Sequence, residues 1–278
     1  FVRGWTHHAS AREVLHAFDR WPTWMWANEE VAELVDWLHA HNANVPAERR
    51  VGFYGLDVYS LFDSMRVVID YLERTDPTAA DRAREAYGCF DPYYDDAQEY
   101  ATATAVLPTS CEDEALAILQ QLRRNAPHYR EDGREGFFDA EQNALVARSA
   151  ERYYRTMMRG GPESWNVRDT HMADTLDRLL AHHGDNARAI VWEHNTHIGD
   201  ARATDMVRAR MINLGQLGRE RWPDGDVVLV GFSSYEGRVI AARSWGAPME
   251  RMFVPPARDG SWEQLLHEAR AGAGSIGL

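Results

Sequence analysis

The sequence is short of cysteine, of long apolar runs and of positive charge, and each shortage removes a class of function. Its only cysteines are Cys89 and Cys111. Two isolated cysteines make neither a disulfide framework nor a CxxC pair for redox or zinc chemistry, so the expected location is a reducing cytoplasm. No window approaches the roughly 18 apolar residues of a membrane span, and no signal peptide is read at the start. A net charge of −13 leaves no basic stripe for nucleic-acid phosphates. Apolar residues, by contrast, are plentiful. They make up 45% of the 278 residues, a length sufficient for one large α/β domain or two small ones, and no repeat or low-complexity stretch interrupts the chain.

Helical periodicity covers much of the chain. Ser10 and Glu13 form a capping box ahead of Leu15, Phe18 and Trp21, and Pro22 closes that segment. A second helix begins near Asn28, with Val31, Leu34, Val35 and Leu38 on one face. Trp21, Trp24 and Trp26 lie between the two, where they wall an apolar pocket or pack a helix junction. Leu61, Met65, Val68 and Leu72 mark a helix that stops at Asp76-Pro77. Further helices are expected at about 79–87, at 112–122 behind Ser110 as N-cap, and at 141–158. Asp169 reads as the N-cap of another, with Met172, Leu176 and Leu179 inward and Gly184 closing it. Ser261 and Gln264 form a second capping box.

Strand-like apolar runs occupy 51–57, 189–192, 227–232 and 238–242, the last two expected as a hairpin around 233–237. The expected fold is a single α/β domain over 1–278. A central, mostly parallel sheet is surrounded by helices, with a large helical insertion at about 60–184.

The run Val191-Trp192-Glu193-His194-Asn195-Thr196-His197 carries the chemistry. Open α/β sheets place their reactive groups at strand ends, and an imidazole there moves protons near neutral pH or binds a metal. His194 and His197 are therefore the first candidates. Asp57, at the end of another strand-like run, either reaches the same edge or caps the following helix. Arg168 either clamps an oxyanion or makes a structural ion pair. His171, His7-His8 and His182-His183 read as surface residues. Two lures fail on context. Gly272, Gly274 and Gly277 match GxGxxG but follow a helix instead of a strand. Gly231-Phe232-Ser233-Ser234-Tyr235 lacks the second glycine of a nucleophile elbow.

Longer motifs identify a family. Trp24-Met25-Trp26-Ala27-Asn28, Val51-Gly52-Phe53-Tyr54-Gly55-Leu56-Asp57-Val58-Tyr59-Ser60, Asp91-Pro92, Ser164-Trp165-Asn166-Val167-Arg168-Asp169-Thr170-His171-Met172, the run from Val191 through Thr204, and Asn213-Leu214-Gly215-Gln216-Leu217 together resemble the erythromycin esterase family. The similarity runs from about Phe1 to His267. It implies an α/β fold with a deep cleft and hydrolysis of a macrolide lactone or another ester by histidine-activated water. Neither a serine nucleophile nor a cofactor is implied.

His194, His197, Arg168 and Asp57 carry over from the family's motifs, with Arg168 set against developing negative charge and Asp57 orienting an imidazole. The family's Gly-Glu-x-x-His-Gly segment, which holds its proposed general base, has no match in the chain, so a domain shortened at its N-terminus is expected. The implied partner is a small-molecule ester, with neither nucleic acid nor membrane involved. Two other readings stand beside hydrolysis: a binding protein that uses the same cleft, and a metal-dependent hydrolase built on His194 and His197.

Overall fold

The computed structural model describes residues 1–4, 8–18, 20–93, 96–107, 110–130 and 133–273, with side chains described to residue 270. His7 and residues 274–278 of the glycine-rich tail lie outside these. The chain divides into two units, Phe1–Gly55 with Phe232–Leu278, and Leu56–Gly231. No helix among the described residues is long and apolar enough to cross a membrane.

In the first unit, helix α1 (Ala11–His16) starts at the expected cap. Ser10 accepts from the Glu13 amide at 3.3 Å, and the Glu13 carboxylate accepts from the Ala9 amide at 2.6 Å. The helix ends earlier than its periodicity predicts, and Phe18 is left exposed. Trp21 instead packs against Trp245 at 4.6 Å and donates to the Ala247 carbonyl at 3.0 Å. Helix α2 (Glu29–Ala43) is capped by Asn28, which accepts from the Val31 amide at 2.9 Å. Its stripe of Val31, Ala32, Val35 and Leu38 buries against Val2, Ala11 and Leu15.

The one sheet among the described residues is the antiparallel pair β1 (Gly237–Ala241) and β2 (Glu250–Val254), in which Gly237 faces Val254 and Ala241 faces Glu250. The expected hairpin with 227–232 is therefore corrected, because β1 pairs downstream. Arg243 grips Glu250 through two bonds of 3.0 and 2.9 Å across the 242–249 connection, and Ala257 donates to the Tyr235 carbonyl at 2.8 Å beyond the ladder. The second capping box opens the helix Trp262–Ala273. Gly272 lies inside that helix, so the GxGxxG match does not begin after a strand.

The second unit is built on helices. Helices α3 (Leu61–Thr75), α4 (Pro77–Tyr87), α5 (Ala97–Val106), α6 (Glu112–Arg124) and α7 (Arg134–Met157) share one core. Asp76 ends α3 and caps α4, accepting from the Ala79 amide at 2.9 Å, with Pro77 at the first helical position, where its missing N–H costs nothing. Ala140, Ala144, Ala147 and Ala150 are fully buried on α7, and these small side chains let neighbouring helices approach closely. Glu151 is buried there too, accepting from the Tyr100 hydroxyl and from Arg155, each at 2.7 Å.

Cys89 and Cys111 are joined in a disulfide, which overturns the reading of them as isolated. Their separation of 22 residues fits no local motif, and the fold of α4 to α6 brings them together. Cys111, rather than Ser110, takes the cap position of α6.

A central parallel sheet is not seen among the described residues. The runs 51–57, 189–192 and 227–232 carry no strand ladder. Ile190 is 99% exposed and Val228 81% exposed, values that exclude a buried strand. An apolar run favours extended backbone, but a sheet also needs a neighbour about 4.8 Å away in register. None of these runs has one among the described residues.

Candidate functional site

The site is organised by helix α8 (Glu163–His183). It opens at Glu163, well before the expected start at Asp169, because its first turn is held from outside. Trp165 donates to the Ile212 carbonyl at 2.7 Å, and Asn166 accepts from the Ile212 amide at 2.9 Å while donating to the Arg210 carbonyl at 3.0 Å. Asp169 is thus no N-cap. With Met172, Ala173 and Leu176 it forms the buried face of α8 at helical spacing. Gly184, with φ of 94°, closes the helix as expected.

Two further short elements meet α8. Helix α9 (Asn195–Ile198) has His194 at its cap, and helix α10 (Leu214–Arg221) has Asn213 at its cap. Asn213 is buried and fully used. Its Oδ1 accepts from the Gln216 amide at 3.0 Å and the Ala201 amide at 3.1 Å, while its Nδ2 donates to the Thr196 carbonyl at 2.8 Å. At Gly215 the backbones touch, and a Cβ there would lie 2.0 Å from the Ile198 carbonyl oxygen. Only glycine allows α10 to press this closely on the end of α9.

This packing drives His197 inward. Its Nδ1 lies 2.9 and 3.1 Å from the two oxygens of Asp169, and its ring stacks on Trp165 at 4.5 Å with an interplanar angle of 2°. Asp169 also accepts from the Leu214 amide at 3.0 Å. Burial raises the Asp169 carboxyl above the usual carboxylate range, against the opposing pull of His197 and the Leu214 amide. A carboxylate against Nδ1 places the ring proton there and leaves Nε2 as the basic nitrogen, a tautomer assigned from hydrogen bonding.

The residue before Asp169 makes a second pair. Arg168 donates from Nε to Asp57 Oδ1 at 2.8 Å and from Nη2 to Oδ2 at 2.7 Å. Its guanidinium lies 4.7 Å over the Tyr59 ring, and the Tyr59 hydroxyl is 3.3 Å from that of Tyr153. Burial works against the arginine charge, but Asp57 outweighs it and raises the pKa. Burial likewise raises that of Tyr59. Consecutive residues of one helix thus direct one cation to Asp57 and one carboxylate to an imidazole.

The four candidates from sequence are therefore brought together in part. Arg168 and Asp57 are partners, whereas the expected orientation of an imidazole falls to Asp169. His197 is buried, but His194 is exposed, its Nδ1 accepting from the Thr196 amide at 3.3 Å and lying 3.0 Å from the Thr196 hydroxyl. The two histidines thus sit in different surroundings, and among the described residues no group of three or more His, Cys, Asp or Glu is arranged to hold a metal. His171, expected at the surface, is buried beside Thr175, and desolvation lowers its pKa to about 4. His182, also expected at the surface, stacks on Phe138 at 3.9 Å and lies 3.0 Å from Glu135.

Sequence reading missed Asp169, whose capping propensity hid its place on the buried stripe. It also missed Glu193. Val191 and Glu193 are both half-buried while Trp192 between them is exposed, an alternation that puts Glu193 on the side of Val191, which packs on Met172, Ala173 and Leu214. That alternation was legible in the sequence.

The sequence profile of the erythromycin esterase family matches residues 1–278. Among solved structures, a Bacillus cereus protein superposes with a TM-score of 0.74 at 18% identity, covering 94% of this chain and 63% of its own. A succinoglycan biosynthesis protein gives 0.64 at 18%, covering 92% and 59%. A mutant of the erythromycin esterase EreC in its open conformation gives 0.64 at 15%, covering 93% and 69%. The chain thus has their fold and spans about three fifths of the length of the first two.

Proposed function

We propose, from the premise that this chain belongs to the erythromycin esterase family, that it serves the hydrolysis of a carboxylic ester, with a macrolide lactone as the leading substrate class. The observation that carries this reading is the buried Asp169–His197 pair. Asp169 fixes the ring and stabilises the imidazolium, and Nε2 takes a proton from water as it attacks the ester carbonyl. Arg168, held by Asp57, offsets the negative charge that develops on the carbonyl oxygen. His194, exposed at the start of the same turn, contacts water or substrate from the solvent side. No serine is assigned a nucleophilic role. Ser233, from the failed elbow, donates to Glu263 at 2.6 Å.

Incubating the purified chain with erythromycin and with simple esters, followed by mass spectrometry for ring-opened or hydrolysed product, tests the reading. His197→Ala is expected to lower kcat/KM by about 10²–10⁴, and turnover equal to that of the unmodified chain would remove His197 from the mechanism. The second reading is a protein that binds in the same place without hydrolysis. It predicts retention of the macrolide with no product.

A further inference from the structure

Glu193 ends the extended segment that leads into α9, and its surroundings are unusual for a carboxyl group. Both of its oxygens are shut off from solvent, and neither meets a hydrogen-bond partner among the described residues. A buried carboxyl without a donor is costly when ionised and far less so when it keeps its proton. The charged groups that act on it are His197 from α9, Asp169 and Arg168 from α8, and Asp57 from the segment before α3. Arg168 is engaged by Asp57 through two bonds, and His197 Nδ1 by Asp169. Among the described residues neither cation donates a hydrogen bond to Glu193.

We propose that Glu193 is the second proton-handling residue of this site, the acid that protonates the departing alcohol oxygen while His197 accepts the proton of the attacking water. The proposal rests on the ester-hydrolase reading and adds to it a residue and a direction of proton flow. The water oxygen bonds to the carbonyl carbon, and its proton passes to His197 Nε2. On collapse, the bond between that carbon and the alkoxy oxygen breaks, and its electron pair takes the proton from Glu193. The products are a carboxylic acid and an alcohol, with His197 as imidazolium and Glu193 as carboxylate. Return of the proton from His197 to Glu193, directly or through a water, restores both groups. Burial, which pushes the Glu193 carboxyl up to about 7, suits it to give and regain a proton near neutral pH.

Comparing two esters in Glu193→Gln tests this. An alkyl lactone such as erythromycin leaves as a basic alkoxide that needs a proton, whereas para-nitrophenyl acetate leaves as a stable phenoxide that does not. The expected result is a loss of about 10²–10⁴ in kcat on the lactone and little change on the nitrophenyl ester. Equal losses on both would assign Glu193 a structural role and overturn the proposal.

A readout independent of turnover is the infrared difference spectrum between the unmodified chain and Glu193→Gln. A protonated-carboxyl stretch that is present at pH 6, vanishes towards pH 8 and is missing in the variant supports the proposal, and its absence at pH 6 overturns it. If the unmodified chain turns over neither ester, the hydrolase reading falls separately, and the infrared result still decides whether Glu193 holds the proton.

Discussion

Asp169 and Glu193 are two buried carboxyls treated differently by their surroundings. Asp169 meets an imidazole and a backbone amide, while Glu193 meets no donor among the described residues. Asp169→Asn keeps the shape and an acceptor for the Leu214 amide but no longer favours the proton on His197 Nδ1. We expect kcat to fall by about 10²–10⁴ with a small shift in melting temperature. A large loss of thermal stability with turnover intact would reverse that assignment. Glu193 carries a stability signature. Its carboxyl sits at about 7 in the folded chain against an ordinary value of 4.5, so the folded state holds the proton more tightly. Its contribution is fully present below about pH 4.5 and is lost as pH rises through 7. Relative to Glu193→Gln, the unmodified chain is expected to lose up to about 3 kcal/mol across that window. Denaturant titrations of both proteins at pH 5 and pH 8 check this, and a difference independent of pH contradicts it.

The elements that gather these residues are short and depend on specific atoms. Asn213 caps α10 and ties the Thr196 carbonyl to the Ala201 amide. Asn213→Ala is expected to destabilise the chain by about 2 kcal/mol or more and to weaken any activity that requires His197. Calorimetry and an ester assay report the two effects. The extended segment before α9 makes a sharper test. Val191 faces the cluster of Met172, Ala173 and Leu214, whereas Ile190 is almost wholly exposed. Val191→Ala is expected to cost about 1 kcal/mol and Ile190→Ala within about 0.5 kcal/mol. The opposite order, read from denaturant midpoints, would place the face of this segment wrongly. The helices were legible for a physical reason. Ser10, Asn28 and Ser261 cap where their spacing from the apolar stripe requires it. The first turn of α8 was not, because residues 210–212, far along the chain, hold it in place.

On the scale of the whole chain, two features bear on stability and chemistry. The Cys89–Cys111 disulfide closes a loop within the larger unit. Under the chain-entropy account, a loop of that length contributes about 3 kcal/mol by restricting the unfolded state. Reduction, or Cys111→Ala, is expected to lower stability by about that amount, and equal melting temperatures with and without reductant would argue against the cross-link. All 30 basic residues of the sequence are arginines. The cations at the site and on the surface are therefore planar forks suited to carboxylates, as Arg168 on Asp57 and Arg243 on Glu250 illustrate. No lysine side chain is available for Schiff-base chemistry.

Local rules settled many of the helices, caps such as Ser10 and Asn28, and the chemically rich turn from His194 to His197, because propensity, capping and periodicity act over a few residues. Which histidine turns inward, which acid it meets and where two distant cysteines join depend on contacts between segments tens to more than a hundred residues apart. Asp169 reaches His197 because Gly215 lets α10 press on α9, and Asp57 meets Arg168, which lies on α8, across a separation of 111 residues. The sheet falls on the same side of that division. An apolar run prescribes an extended backbone, but pairing belongs to the space around it, and that space is arranged by the fold.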